Sequence, residues 1–166
     1  EIISELCDGL GFAHKAGIVH RDIKPANVIV EPEGSIKILD FGIVRIAESG
    51  MTQAGMLIGT LNYMSPEQGA GHVVDSRSDI FAVGAVFYEL LTYRQAFPGG
   101  LHNGILNKIL REQPMSLATA CPGLDSEVIR VVERALHKEP GARFQDLASM
   151  RKEIARIQQR LESLPP

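Results

Sequence analysis

The sequence predicts a mainly α-helical fold carrying one small β-hairpin, an α+β arrangement with very little sheet. Three observations predict it. Apolar residues recur three and four apart at both ends: Ile2, Ile3, Leu6, Leu10 and Ala13 at the start, and Leu147, Met150, Ile154, Ile157, Leu161 and Leu164 at the finish. Residues 80–91 are apolar on nearly every face, as a buried central helix requires. Two β-rich runs, Val28-Ile29-Val30 and Ile36-Lys37-Ile38-Leu39, flank Glu33-Gly34 and read as a hairpin.

Each element can be justified in order. The opening helix should close near Gly17, where glycine tolerates the left-handed conformation of a helix end. Ile18-Val19 is a short apolar pair read as a β segment, followed by the hairpin. From 42 to 64 there is no sustained periodicity, and a loop of that length in one domain is usually functional or mobile. Ser65-Pro66-Glu67-Gln68 then opens a helix, with a capping hydroxyl, a proline at the first position and acceptors behind it. Helices are expected at 101–110 and at 128–136, the latter opened by Asp125 or Ser126. The closing stripe from Leu147 to Leu164 is too short for a coiled coil and should dock on the domain. No internal repeat is present.

Length and composition narrow the function classes. At 166 residues the chain is one domain; 45% hydrophobic and 22% charged residues exclude disordered and low-complexity classes. Seventeen Lys plus Arg against twenty Asp plus Glu leave a net charge of −3, with no basic surplus to follow a nucleic-acid backbone. The longest apolar stretch is too short for a bilayer. Cys7 and Cys121 lie far apart without a neighbouring ligand pattern, which argues against a zinc site or disulfide framework and for a reducing compartment. Glu1 stands where an initiator Met would, helical spacing begins at once, and Pro165-Pro166 reads as the start of a linker. A piece of a longer protein is expected.

Three segments carry the chemistry: His20-Arg21-Asp22-Ile23-Lys24-Pro25-Ala26-Asn27; Asp40-Phe41-Gly42 after the second hairpin strand; and Gly59-Thr60-Leu61-Asn62-Tyr63-Met64-Ser65-Pro66-Glu67 closing the long loop. An Asp-Phe-Gly tripeptide alone means nothing. In this order and these contexts, the three resemble the catalytic loop, metal-binding motif and activation-segment end of a protein kinase. The likeness continues through Asp75-Ser76-Arg77-Ser78-Asp79, similar to the start of the family's central helix, and Lys138-Glu139-Pro140-Gly141-Ala142-Arg143-Phe144, similar to its late arginine segment. Lys24 and Gly59-Thr60 resemble serine/threonine-specific members, and Ser65-Pro66-Glu67-Gln68 resembles the bacterial eukaryotic-like branch. The resemblance covers the C-terminal lobe, residues 1–164, with 165–166 beginning a linker.

The resemblance implies ATP and Mg²⁺ as cofactors and protein serine or threonine hydroxyls as acceptors. Asp22 would take the hydroxyl proton and Lys24 would sit against the transferring phosphate. Asn27 and Asp40 would give Mg²⁺ the hard oxygens it prefers, and Ile29 would floor the adenine site. His20, Phe41, Thr60 and Asp79 would support the catalytic loop, and Glu67 would pair with Arg143. His14, His72, His102 and His137 show no ligand spacing and read as ordinary residues. Each assignment has a plainer rival, such as a turn role for Asp22, a helix-terminal role for Asp79 and solvated surfaces for Glu67 and Arg143; the joint spacing favours the functional set.

Regulation follows from charge. Arg21 and Arg45 flank the site and would repel each other unless an anion joined them, and a phosphate on Thr52 would supply one. The family's Gly-rich strand pair, its lysine strand and the helix bearing that lysine's Glu partner are not in this sequence. The N-terminal lobe is thus an expected partner, together with protein substrates. A cytoplasmic location is expected, any membrane anchor lying outside these residues. The alternative is a pseudokinase or scaffold, against which stands the joint presence of Asp22, Lys24, Asn27 and Asp40.

Overall fold

A computed structural model of the chain describes residues 1–41, 61–100 and 104–163. Helix α1 spans Ile2–Lys15 and buries Ile3, Leu6, Cys7, Leu10 and Ala13 along one stripe. It ends as Gly17 turns to φ +75° and Ile18 donates its N–H back to the Ala13 carbonyl. Burial pushes the Cys7 thiol up to about 12, so it behaves as a small hydrophobe. Ile18-Val19 forms no strand: among the described residues the only sheet is two-stranded, and a two-residue run without a partner ladder cannot satisfy its backbone there.

That sheet is the hairpin of β1 (Val28–Val30) and β2 (Ile36–Ile38), antiparallel with Val28 opposite Ile38 and Val30 opposite Ile36. Gly34 sits at φ +91° in its turn, a conformation open to glycine at little cost. Leu39 is not a strand residue, but its N–H donates to the Asn27 carbonyl at 2.9 Å. The ladder therefore carries Asn27 and the start of Asp40-Phe41 to the same end of the hairpin.

Helix α2 (Pro66–Gly69) is a single turn held by a reciprocal capping box between Ser65 and Gln68. Helix α3 (Ser76–Thr92), capped by Asp75, is buried along most of its length, from Ser78 through Val86 and again at Tyr88. Helix α4 (Ile105–Arg111) begins later than the sequence pattern suggests, because Gly104 stands before it at φ +68°; residues 101–103 lie outside the described residues. Helix α5 (Leu117–Ala120) has too few residues for a periodic signal and is not foreseen from sequence. Helix α6 (Ser126–Ala135) starts from an Asp125 cap, and α7 (Leu147–Glu162) from an Asp146 cap.

Helix α3 forms the axis of the core, against α1 on one side and α6 on another, and α7 lies along α1. Leu147, Met150, Ile154 and Ile157 are the buried stripe of α7; Leu161 is exposed at its end. No helix among the described residues is long and apolar enough to cross a membrane.

Candidate active site

The loop from His20 to Asn27 is built by the core beneath it. Asp79, in the first turn of α3 and 1% exposed, accepts the backbone N–H of His20 at Oδ2 and that of Arg21 at Oδ1, both at 2.8 Å. His14 of α1 donates from Nε2 to the same Oδ2 at 2.7 Å. Arg21 needs this grip, since its φ of +67° is a left-handed conformation that costs a non-glycine residue about 1–2 kcal/mol. The His20 ring is fully buried: Nε2 donates to the Leu39 carbonyl at 2.9 Å and Nδ1 receives the Asp22 N–H at 3.3 Å. Those two bonds fix the neutral tautomer and tie the loop to the hairpin's far end. The Phe41 ring stands 4.9 Å from that imidazole.

Past the strained residue the functional side chains converge. Lys24 Nζ donates to Asp22 Oδ2 at 2.9 Å, and Asn27 Nδ2 donates to the same oxygen at 3.1 Å and to the Asp22 carbonyl at 2.7 Å. Two donors on Oδ2 lock the carboxylate rotamer. Among the described residues Asp22 Oδ1 accepts no hydrogen bond, and this side chain is 35% exposed. Asn27 is buried and spends its amide hydrogens on Asp22, and among the described residues its side-chain Oδ1 accepts no hydrogen bond. Asp40 is exposed at φ +51° and likewise accepts no hydrogen bond from the described residues.

The Asn27 and Asp40 side-chain oxygens, one amide and one carboxylate, are the hard donors that Mg²⁺ prefers. No cluster of three or more His, Cys, Asp or Glu among the described residues could cage a metal alone. Mg²⁺ takes one or two protein oxygens and completes its shell with phosphates and water, so the residues present fit it. Ile29 is 46% exposed on β1, open on the hairpin's outer surface. Arg21 is exposed and forms no ion pair among the described residues. Arg45, Thr52 and Thr60 lie outside the described residues.

A second charged centre braces the segment around Glu67. Arg143, 1% exposed, spends every guanidinium donor: Nη1 and Nη2 meet the two Glu67 oxygens at 2.8 Å each, and the rest go to the carbonyls of Arg77, His137 and Lys138. Burial pushes the Glu67 carboxyl up, but the bonds from Arg143 and Ser78 outweigh it and hold it below its ordinary value. Tyr63 donates its hydroxyl to Glu89 of α3, and Asn62 donates to the carbonyls of Phe97 and Gly99.

Two residues were missed by sequence reasoning. His14 is not ordinary, because it is the third donor on Asp79; its spacing from Asp79, sixty-five positions, carries no local signal. Gln68, read only as a capping residue, also donates from Nε2 to the Arg21 carbonyl at 2.8 Å.

The buried Asp79 thus suspends a strained loop bearing Asp22, Lys24 and Asn27, with Asp40 beyond a hairpin. The family model described as protein kinase domain matches residues 1–154, and the chain belongs to that family. Among named relatives, it is 41% identical over 160 residues to the serine/threonine-protein kinase PknB of Mycobacterium tuberculosis, covering 95% of this chain and 26% of the relative. A probable serine/threonine-protein kinase of Streptomyces coelicolor is 42% identical over 157 residues, 93% of this chain and 23% of that protein. The probable PknB of Corynebacterium glutamicum is 38% identical over 163 residues, with 94% and 25% covered. The chain thus spans about a quarter of the length of the curated relatives it matches.

Proposed function

We propose that this chain is the C-terminal lobe, residues 1–164, of a protein kinase that transfers the ATP γ-phosphoryl group to serine or threonine hydroxyls of proteins. The observation that supports it best is the Asp22 carboxylate: Oδ2 is pinned by Lys24 and Asn27, while Oδ1 accepts no hydrogen bond among the described residues and the side chain is 35% exposed. A pinned carboxylate with one open oxygen can accept a proton from an incoming hydroxyl and aim the attacking oxygen. Lys24 Nζ, held at the same carboxylate, brings positive charge to where the phosphoryl group would pass. Asn27 Oδ1 and the Asp40 carboxylate would hold Mg²⁺, and Ile29 would lie under the adenine. ATP with Mg²⁺ supplies the transferable group and neutralises its charge.

The chain's own residues then position and exclude; they form no covalent intermediate. Thr52 would be the activating phosphosite, its phosphate paired by Arg21 and Arg45, with Thr60 against the catalytic loop. The remaining wall of the nucleotide cleft belongs to the N-terminal lobe, which this sequence does not contain, and the location would be cytoplasmic. The test is transfer of labelled phosphate by the full-length kinase. Asp22→Asn, which keeps size and removes the base, is expected to lose about 10²–10⁴-fold in kcat. Asp40→Asn is expected to lose transfer with a weakened response to Mg²⁺. Wild-type rates in both variants would remove the enzymatic reading.

A further inference from the structure

Gln68 stands between two parts of the site that no other described side chain of α2 joins. As the fourth residue of the Ser65-Pro66-Glu67-Gln68 turn it has one carboxamide with two ends, and the structure uses them differently. Oε1 accepts the Ser65 N–H at 3.0 Å, which is the capping box that closes the turn. Nε2 donates to the Arg21 carbonyl at 2.8 Å, forty-seven residues away. A cap needs only the oxygen. The amide nitrogen therefore does something a cap does not require, and a glutamate in its place would make the cap equally well.

The bond lands on the most strained residue of the loop. Arg21, at φ +67°, has its N–H held by Asp79 Oδ1 and its carbonyl held by Gln68 Nε2. The two grips come from different elements, one from the core helix α3 and one from the α2 turn. A left-handed residue gripped only at its N–H can relax by rotating the peptide that follows, and that peptide belongs to Asp22. Its N–H end is held by His20 Nδ1 at 3.3 Å, and Gln68 adds the shorter hold at its carbonyl end, 2.8 Å. Arg21, Asp22, Ile23, Tyr63, Met64 and Gln68 also border one hollow of about 20 Å³, so the turn and the carboxylate share a wall.

We infer that Gln68 is a positioning residue, clamping the Arg21–Asp22 peptide so that the orientation of the Asp22 carboxylate depends on the seating of the α2 turn. The inference rests on the kinase reading for its effect on rate, but not for the clamp itself. It gives the segment that precedes α2 a direct mechanical route to the proton-accepting group: a chain that lifts Ser65 and Gln68 also frees the Arg21 carbonyl. Arg143 holds the neighbouring Glu67 by both carboxylate oxygens, so the turn has a second, independent anchor.

Gln68→Glu separates the two roles. It keeps size and keeps the acceptor for Ser65 N–H, but sets a carboxylate oxygen against the Arg21 carbonyl where a donor was. In this chain the expected result is an unchanged thermal midpoint together with faster hydrogen exchange at the Arg21, Asp22 and Ile23 amides, by about tenfold. In the full-length kinase kcat should fall about tenfold with little change in KM for ATP. Unchanged exchange at those amides overturns the clamp. So does a loss of rate that travels with a lowered midpoint, since that is a merely structural effect. If wild-type kinase transfers nothing while exchange still rises in Gln68→Glu, the clamp stands and the phosphotransfer reading falls.

Discussion

A single carboxylate shows how burial and chemistry are traded at the residue scale. Glu67 is 7% exposed, a position where an unpaired charge would cost several kcal/mol, and it persists there because Arg143 meets both oxygens and Ser78 adds a hydroxyl. Removing one partner leaves the other charge buried alone. Glu67→Gln should therefore destabilise the chain by about 3–5 kcal/mol in denaturant unfolding. The pH dependence has a definite sign. The folded carboxyl lies below its ordinary 4.5, so the unfolded chain binds the proton first as pH falls. The pair's contribution is present above about pH 4.5 and is lost as pH drops through the lower folded value. Glu67→Gln should flatten that part of the stability curve, and an unchanged acid limb would show that the pair is not the source.

Helix α3 gives the clearest view at the element scale, because one segment serves as core, platform and suspension. Its apolar faces account for its burial, and its first turn carries Asp79 toward the loop. Close approach to α6 depends on Gly84, where an added Cβ would fall 2.8 Å from Ala135 Cβ and 3.3 Å from its backbone carbon. Helix propensity alone says that Gly→Ala in a helix stabilises by about 1 kcal/mol. Packing reverses the sign here: Gly84→Ala should destabilise by about 1–3 kcal/mol, the range for an overpacked core. Gly11 of α1 is the control. A Cβ there would meet only Leu147 Cβ at 3.8 Å, an ordinary contact, so Gly11→Ala should stabilise by about 0.5–1 kcal/mol. Thermal unfolding of the two variants checks both signs.

At the scale of the whole molecule, the proposed reading makes the chain one wall of a nucleotide cleft. The loop, the hairpin end and the α2 turn are held in place by the core, yet Phe12, Ile18, Ile29 and Val30 stand 46–78% exposed. Charge contacts facing open water are screened, and positioning of a triphosphate needs a wall on both sides. The 166 residues alone are therefore expected to unfold cooperatively but to transfer phosphate no faster than background. Incubation with ATP, Mg²⁺ and a generic protein substrate is the measurement. Sustained turnover that disappears on Asp22→Asn would show that the second wall is dispensable.

What the sequence determined by itself is whatever is encoded locally or by short spacing. The periodic stripes of α1 and α7, the turn at Gly34, the Ser65 cap and the Asp22, Lys24, Asn27 offsets all lie within a few residues of one another, so propensity and pattern suffice. The start of α4 was displaced by one left-handed glycine, and Ile18-Val19 lacked the partner strand that would make it β. The tertiary structure alone decided that His14 and Asp79 share a hydrogen bond across sixty-five positions, and Gln68 and Arg21 across forty-seven. It also decided that Arg21 sits at positive φ, since an arginine has no intrinsic preference for that conformation. Such features arise when distant backbone groups must be satisfied in one buried place, and no local pattern records that requirement.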